Sequence, residues 1–255
     1  MSAIRSLFDA NGYYLAKSVF CPDEIAALER DFDRIVAQLR ASGEEIDATW
    51  EGRETARLAR EDDVIIHTHN VQKYSRAWLD AFLNERFLGI AAEILGEDIV
   101  LHHSKLFQKP PERGSPFPMH QDWPYFPTAK DTMIAGIIHV SDATDEMGCL
   151  RIYKGSHRLG RLANANGRVD SAVLDQYPIE KGTVIEAEAG DVVFFHYFTL
   201  HGSMPNRSDR TRKTVLVQLY SGADQVDSSS RHPNEAMVLR GWNHHSTRET
   251  TGIYR

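Results

Sequence analysis

From Ile99 to Tyr220 the sequence is a succession of short apolar runs, IVLHHSKLF, MIAGIIHV, CLRIY, TVIEAEA, DVVFFHYF and RKTVLVQLY, each broken off by turn-forming residues. Runs of this kind bury as strands, because side chains alternate between two faces and β-branched or aromatic residues fit the pleat. Helical crossovers do not regularly separate them, so an antiparallel sandwich or jelly roll is favoured over a parallel βαβ sheet. The main interruption is residues 160–182. A chain of 255 residues, 42% hydrophobic, can enclose one sizeable core. The expected organisation is therefore a single domain over 1–255, with its β core at about 99–220.

Before the β region, residues 12–20 read as a short strand. Pro22 and Asp23 start a helix running to about Arg40, with Ile25, Leu28, Phe32, Ile35, Val36 and Leu39 on its apolar stripe. That stripe should pack on a sheet. A second helical region spans Arg76 to Leu95 and is stopped by Gly96. Residues 41–75 are polar and poorly periodic, either a lid or a locally ordered excursion. The tail at 222–255 either closes one end of the barrel or is a surface extension, and the second reading is preferred.

The formal charge of −7 gives no electrostatic reason to expect nucleic acid or an anionic membrane as partner; a small-molecule substrate fits better. Cys21 and Cys149 form no metal-ligand or disulfide pattern and are expected to be free thiols. No run of about 18 apolar residues occurs, and Asp9 interrupts what a signal peptide would need. A soluble, cytoplasmic protein is the expectation.

His120 and Asp122 stand two apart in MHQDW, so in an extended strand they leave the same face. With 12 histidines in the chain, chance supplies about one His-x-Asp pair, and the pair alone decides nothing. His201 lies 79 residues beyond Asp122 at the end of an apolar strand, where it can complete two imidazoles and a carboxylate. Three such ligands on one face of octahedral Fe(II) leave three positions open, enough for a bidentate co-substrate and dioxygen. A 2-oxoglutarate co-substrate would need an anchor for its far carboxylate, and Arg212 offers the planar two-pronged donor. Its strand is expected to run back alongside the one bearing His201, with Ser203 adding a hydroxyl.

Several segments, in this order, resemble the phytanoyl-CoA dioxygenase family of Fe(II)/2-oxoglutarate oxygenases. They are NGYYLAKSVFCPDEIAAL, HHSKLFQKPP, HQDWPYF, DEMGCLRIYKGSHRLG and AGDVVFFHYFTLHGSMPNRSDRTR. The resemblance implies a mainly β fold, a double-stranded β-helix (jelly roll, cupin-like) core with N-terminal helices packed on one sheet. It implies a dioxygenase that hydroxylates or otherwise oxidises a small-molecule C–H bond with Fe(II), 2-oxoglutarate and O2, releasing succinate and CO2. His120, Asp122 and His201 would be the catalytic metal ligands. Arg212, eleven residues after His201 as in the family, would bind 2-oxoglutarate together with Ser203 and Lys105. Departures are Lys154, where many members have Pro, and the lack of a Trp near Ile137 that packs on the co-substrate in some relatives.

On the substrate side, Trp123, Tyr125 and His103 are candidates, though the two aromatic residues are equally candidates for core packing. His102 and His103 should face opposite ways. His67 and His69 sit in a stretch with no expected barrel strand and are set aside as ligands. The basic cluster Lys154, His157, Arg158 and Arg161 would meet coenzyme A phosphates or, by preference, water. Two rival classes remain: a metal-dependent hydrolase using the same triad, which lacks the Glu of HExxH as a base, and a jelly roll that binds a ligand without turnover. A halogenase would need a small residue in place of Asp122.

Overall fold

The computed structural model describes residues 2–162 and 168–247. Helix α1 (Ala3–Asn11), strand β1 (Tyr13–Ala16) and helix α2 (Pro22–Ala41) come first. Strand β2 (Asp47–Ala48), helix α3 (Arg53–Leu58), strand β3 (Ile65–His69) and helices α4 (Arg76–Phe82) and α5 (Glu85–Leu95) follow. Then come β4 (Ile99–Lys109), β5 (Phe117–His120), β6 (Ile134–His139) and β7 (Leu150–Ile152). A single-turn helix α6 (Ser171–Leu174) precedes β8 (Thr183–Ile185), β9 (Val192–His196), β10 (His201–Ser203), β11 (Arg212–Ser221) and β12 (Met237–Arg240).

All strand pairs are antiparallel and fall into two sheets. The larger runs β1-β9-β6-β11-β4-β3-β2, with β12 also on β4; the smaller runs β5-β10-β7-β8. The two sheets contribute opposite walls of one cavity of about 720 Å³. Alternation along β11 shows how the large sheet is used. Val215, Val217 and Leu219 turn to the helices, packing with Phe32 and Trp78, whereas Arg212, Thr214, Leu216 and Gln218 line the cavity. The helical stripe expected over 22–40 is therefore docked on the outer face of the large sheet, and the inner face is left for chemistry.

Four expectations need correction. The helical region at 76–95 is two helices, because the Asn84 side chain accepts from the backbone N–H groups of Arg86 and Phe87 and caps a fresh start. Within 41–75, in line with the locally ordered alternative, β3 pairs with β4 and extends the large sheet, which places His67 and His69 on a barrel strand where none was expected. The tail is more than a surface extension. Arg231 donates its backbone N–H to the Tyr125 carbonyl at 2.7 Å, β12 pairs with β4 and His232 lines the cavity. His102 is the extra residue of a bulge in β4 opposite Gln218 and Leu219, so the strict alternation expected of His102 and His103 does not hold. Residues 163–167 of the 160–182 interruption, and 248–255 of the tail, lie outside the described residues. No described helix is long and apolar enough to cross a membrane.

The loop joining β10 to β11 is tied down by Arg207, whose guanidinium donates to both oxygens of Asp63 at 2.8 and 2.7 Å. Asp63 has no exposed side-chain surface and also accepts from the Arg60 backbone. Burial pushes its carboxyl pKa up, but the Arg207 and backbone hydrogen bonds outweigh that and hold it below the usual range. Asp63→Ala should lower the unfolding free energy by about 3 kcal/mol, since it strands a half-buried guanidinium. Because the folded pKa is depressed, this contribution is fully present above about pH 4 and fades as pH falls through the folded value. Urea denaturation of both proteins at neutral pH and at about pH 3 checks this; equal stability at neutral pH would refute the clamp.

Candidate active site

Strands β5 and β10 lie side by side with His120 and His201 as direct cross-strand partners, and their imidazole centroids are 4.2 Å apart. Asp122 does not sit in an extended strand as expected. β5 ends at His120, and Asp122 occupies a turn with φ −83° and ψ −29°. Its N–H donates to the Tyr197 carbonyl at 2.9 Å, and the buried Gln121 amide donates to the Phe198 and Gly160 carbonyls. The turn brings the carboxylate back between the rings: Asp122 Oδ1 is 3.3 Å from His120 Nε2 and 3.6 Å from His201 Nε2.

The outer nitrogens define what the inner ones offer. His120 Nδ1 meets the Pro118 carbonyl at 2.7 Å, and His201 Nδ1 meets the Thr199 carbonyl at 2.9 Å. Carbonyls only accept, so each Nδ1 carries the proton and each Nε2 presents a lone pair. Two lone pairs and a carboxylate thus converge, with ligand atoms all within 4.8 Å of one another, and Asp122 Oδ2 is buried with no partner among the described residues. Only a cation satisfies such a set. Burial lowers the His120 pKa, but the Asp122 hydrogen bond and charge raise it overall, while burial brings His201 down to about 4. Two imidazoles and one carboxylate on one side, with an open cavity on the other, fit an Fe(II) site of the facial type.

One end of the cavity is cationic. Arg212, 7% exposed, donates to the Gly148 carbonyl and has its Nε buried without a described partner. Burial lowers its pKa to about 10. Gly148 adopts φ +65°, and a Cβ there would lie 2.2 Å from the Met204 carbonyl oxygen, so glycine is what permits this close approach. Arg212 does not run alongside His201's strand as expected; β11 belongs to the large sheet, and Arg212 faces Ser203 from the opposite wall. Directly across from Arg212 in β4 is Lys109, fully buried, donating to Ser203 Oγ at 2.7 Å and the Met204 carbonyl at 2.6 Å. Lys109 was not anticipated. Its signal was phase, since His103, Lys105, Phe107 and Lys109 share one strand face.

Lys105 lines the cavity, but four residues along β4 from Lys109, opposite Leu216. It therefore stands about 13 Å along the strand from the Arg212 pair, among imidazoles and near Asp122, which raises its pKa against the larger lowering by burial. Ile137, Leu150, Phe195 and Leu216 supply an apolar wall of the cavity.

Tyr125 and His103 also line the cavity. Trp123 does not: its indole N–H donates to Gln121 Oε1 at 3.0 Å, and the Arg161 guanidinium covers its face at 4.8 Å. His157 and Arg158 bond the Asp9 carbonyl, and Arg161 pairs with Asp131; neither they nor Lys154 line the cavity. Lys154 does not disturb the turn, where Gly155 takes φ +80°. His67 and His69, weighed in the sequence only as metal ligands, line the cavity, as do His232 and Trp50, which the sequence did not single out.

The chain is similar to known proteins over most of its length. The chain is 29% identical over 227 residues, 84% of its length and 76% of the relative's, to a probable alpha-ketoglutarate-dependent hypophosphite dioxygenase of Stutzerimonas stutzeri. It is 23% identical to the peroxisomal phytanoyl-CoA dioxygenase of Rattus norvegicus, over 92% of this chain and 72% of that one. Its fold matches the epimerase SnoN, whose crystal structure is a complex with Fe3+, alpha ketoglutarate and nogalamycin RO, with a TM-score of 0.73, 18% identity and coverage of 89% and 85%. Residues 8–214 match the phytanoyl-CoA dioxygenase (PhyH) family, and the chain belongs to that family.

Proposed function

We propose that the protein is an Fe(II)- and 2-oxoglutarate-dependent dioxygenase that hydroxylates or otherwise oxidises a C–H bond of a small molecule. The observation that carries the reading is the convergence of His120 Nε2, Asp122 and His201 Nε2 at the cavity wall. Iron bound there supplies the dioxygen chemistry that couples decarboxylation of 2-oxoglutarate to succinate and CO2 with insertion of the second oxygen atom into the substrate.

The chain's own contribution is positioning and exclusion of water. His120 and His201 are held by their Nδ1–H bonds to backbone carbonyls, which orients both lone pairs before the metal arrives. Arg212 and Ser203 grip the far carboxylate of 2-oxoglutarate, with Lys109 holding the Ser203 hydroxyl in place. The wall of Ile137, Leu150, Phe195 and Leu216 keeps water from the reacting end. The absence of an apolar crossing helix among the described residues and two free cysteines suit a cytoplasmic setting.

With Fe(II), 2-oxoglutarate and dioxygen, the protein should form succinate. Asp122→Ala should cut that rate by about 100-fold or more and abolish iron binding read by titration; near-normal turnover would sink the triad, and activity with Zn(II) but not Fe(II) would mark a hydrolase.

The anchor is tested separately. Arg212→Ala should raise the 2-oxoglutarate concentration for half-maximal succinate formation about 30-fold or more while iron still binds. Lys109→Met should raise it about tenfold by freeing Ser203. An unchanged requirement in both variants would move the anchor elsewhere.

A further inference from the structure

The half of the cavity away from Arg212 is built from imidazoles around one lysine. His67 and His69 have ring centroids 6.0 Å apart, His69 and His103 6.0 Å, and His69 and His232 5.4 Å. His103 and His232 stack at 5.1 Å with 9° between planes. All four line the cavity with Lys105. They come from three separate segments, β3, β4 and the tail, so the grouping is a product of the fold and not of local sequence.

The protons on this cluster can be assigned. His102 Nδ1 and His103 Nδ1 are 2.6 Å apart, so one donates to the other. His102 Nε2 is buried without a partner, and a buried lone pair costs less than a buried N–H. His102 therefore carries its proton on Nδ1 and donates it, which leaves His103 protonated on Nε2. Among the cavity imidazoles, His103 is thus a neutral N–H donor whose direction is set from behind.

Charge completes the argument. In the oxygenase, the two charges of Fe(II) are met by Asp122 and one carboxylate of 2-oxoglutarate, and the other carboxylate is met by Arg212. Lys109 is held by the Ser203 hydroxyl and the Met204 carbonyl, whereas Lys105 is left over with neither an ion pair nor a hydrogen bond recorded among the described residues. The other described carboxylate lining the cavity is Glu51, whose side chain is 87% exposed and pairs with Arg168 at 3.3 Å. A half-buried cation ringed by neutral imidazoles is costly unless a ligand anion meets it. From His67, 5.1 Å from Trp50, an aromatic wall of Trp50, Phe107 and Phe117 runs toward the Lys109 end, with Trp50 and Phe117 at 4.4 Å, Phe107 and Phe117 at 5.3 Å and Lys109 Nζ over the Phe117 ring at 5.9 Å. That wall continues to His120, 6.5 Å from Phe117.

We propose that the substrate is a compact oxyanion, a carboxylate or phosphonate, whose charged head docks on Lys105 and His103 while its carbon body lies along Trp50, Phe107 and Phe117 toward the metal. This rests on the oxygenase reading and assigns Lys105 to the substrate instead of 2-oxoglutarate. Burial brings the Lys105 pKa down to about 8, and the Asp122 charge opposes that lowering.

The test uses butyrate and propylphosphonate as anionic probes, butyramide as the neutral probe of the same shape, and saturating 2-oxoglutarate on the Fe(II)-loaded protein. Equilibrium dissociation constants are measured without oxygen, and succinate formation with it. At least one anion should bind about tenfold or more tightly than butyramide, and which anion prevails separates carboxylate from phosphonate. Lys105→Met should abolish the preference, weakening the anion about tenfold while moving the 2-oxoglutarate requirement less than about threefold; Lys105→Arg should keep the preference. Equal binding of butyramide and both anions by the wild type, or a Lys105→Met effect confined to 2-oxoglutarate, would overturn the proposal. Lys105-dependent anion binding with no succinate under any condition would uphold the anion site and refute the oxygenase.

Discussion

Two imidazole lone pairs and a carboxylate pointed at one another are mutually repulsive until a cation lies between them, and the rest of this fold is arranged to hold them there. His120 and His201 are opposite each other because β5 and β10 pair in that register. Asp122 reaches them because the turn after β5 is fastened through Gln121 and the Tyr197 carbonyl. Protons on both Nδ1 atoms are fixed by backbone carbonyls. The structure spends hydrogen bonds on keeping the metal-facing atoms unprotonated and aimed, which is what a preorganised metal site requires.

The same economy separates the two ends of the cavity. Arg212, Lys109 and Ser203 cluster at one end, and Lys105 stands four residues along β4 among imidazoles. A strand rise of about 3.3 Å per residue keeps Lys105 about 13 Å along the strand from Lys109, the separation on which the proposed division between two ligands rests. The helices contribute indirectly: by covering the outer face of the large sheet with α2, α4 and α5, they free its inner face to carry polar groups that a core would not tolerate.

Much of this was legible in the sequence. The strands between 99 and 220 announced themselves because one face of each packs on apolar neighbours, and the triad and Arg212 followed from spacing and resemblance. What escaped did so for physical reasons. β3 is short and its inward residues are histidines, so it reads as a polar loop. The break between α4 and α5 is invisible to periodicity, because Leu79, Phe82, Phe87 and Ile94 stay in helical phase across it; only Asn84 marks the cap. Lys109 looks like a solvated cation beside two prolines, and its burial is decided by β11 lying across from it. Trp123 follows the metal motif directly, yet its N–H is claimed by Gln121, which turns the ring out of the cavity.

Diffraction from iron-loaded crystals at the iron absorption edge tests whether His120, Asp122 and His201 hold the metal. One anomalous peak is expected within bonding distance of His120 Nε2, an Asp122 carboxylate oxygen and His201 Nε2, with no fourth protein ligand and the remaining positions facing the cavity. A peak elsewhere, or one closed off by a further side chain, would contradict it.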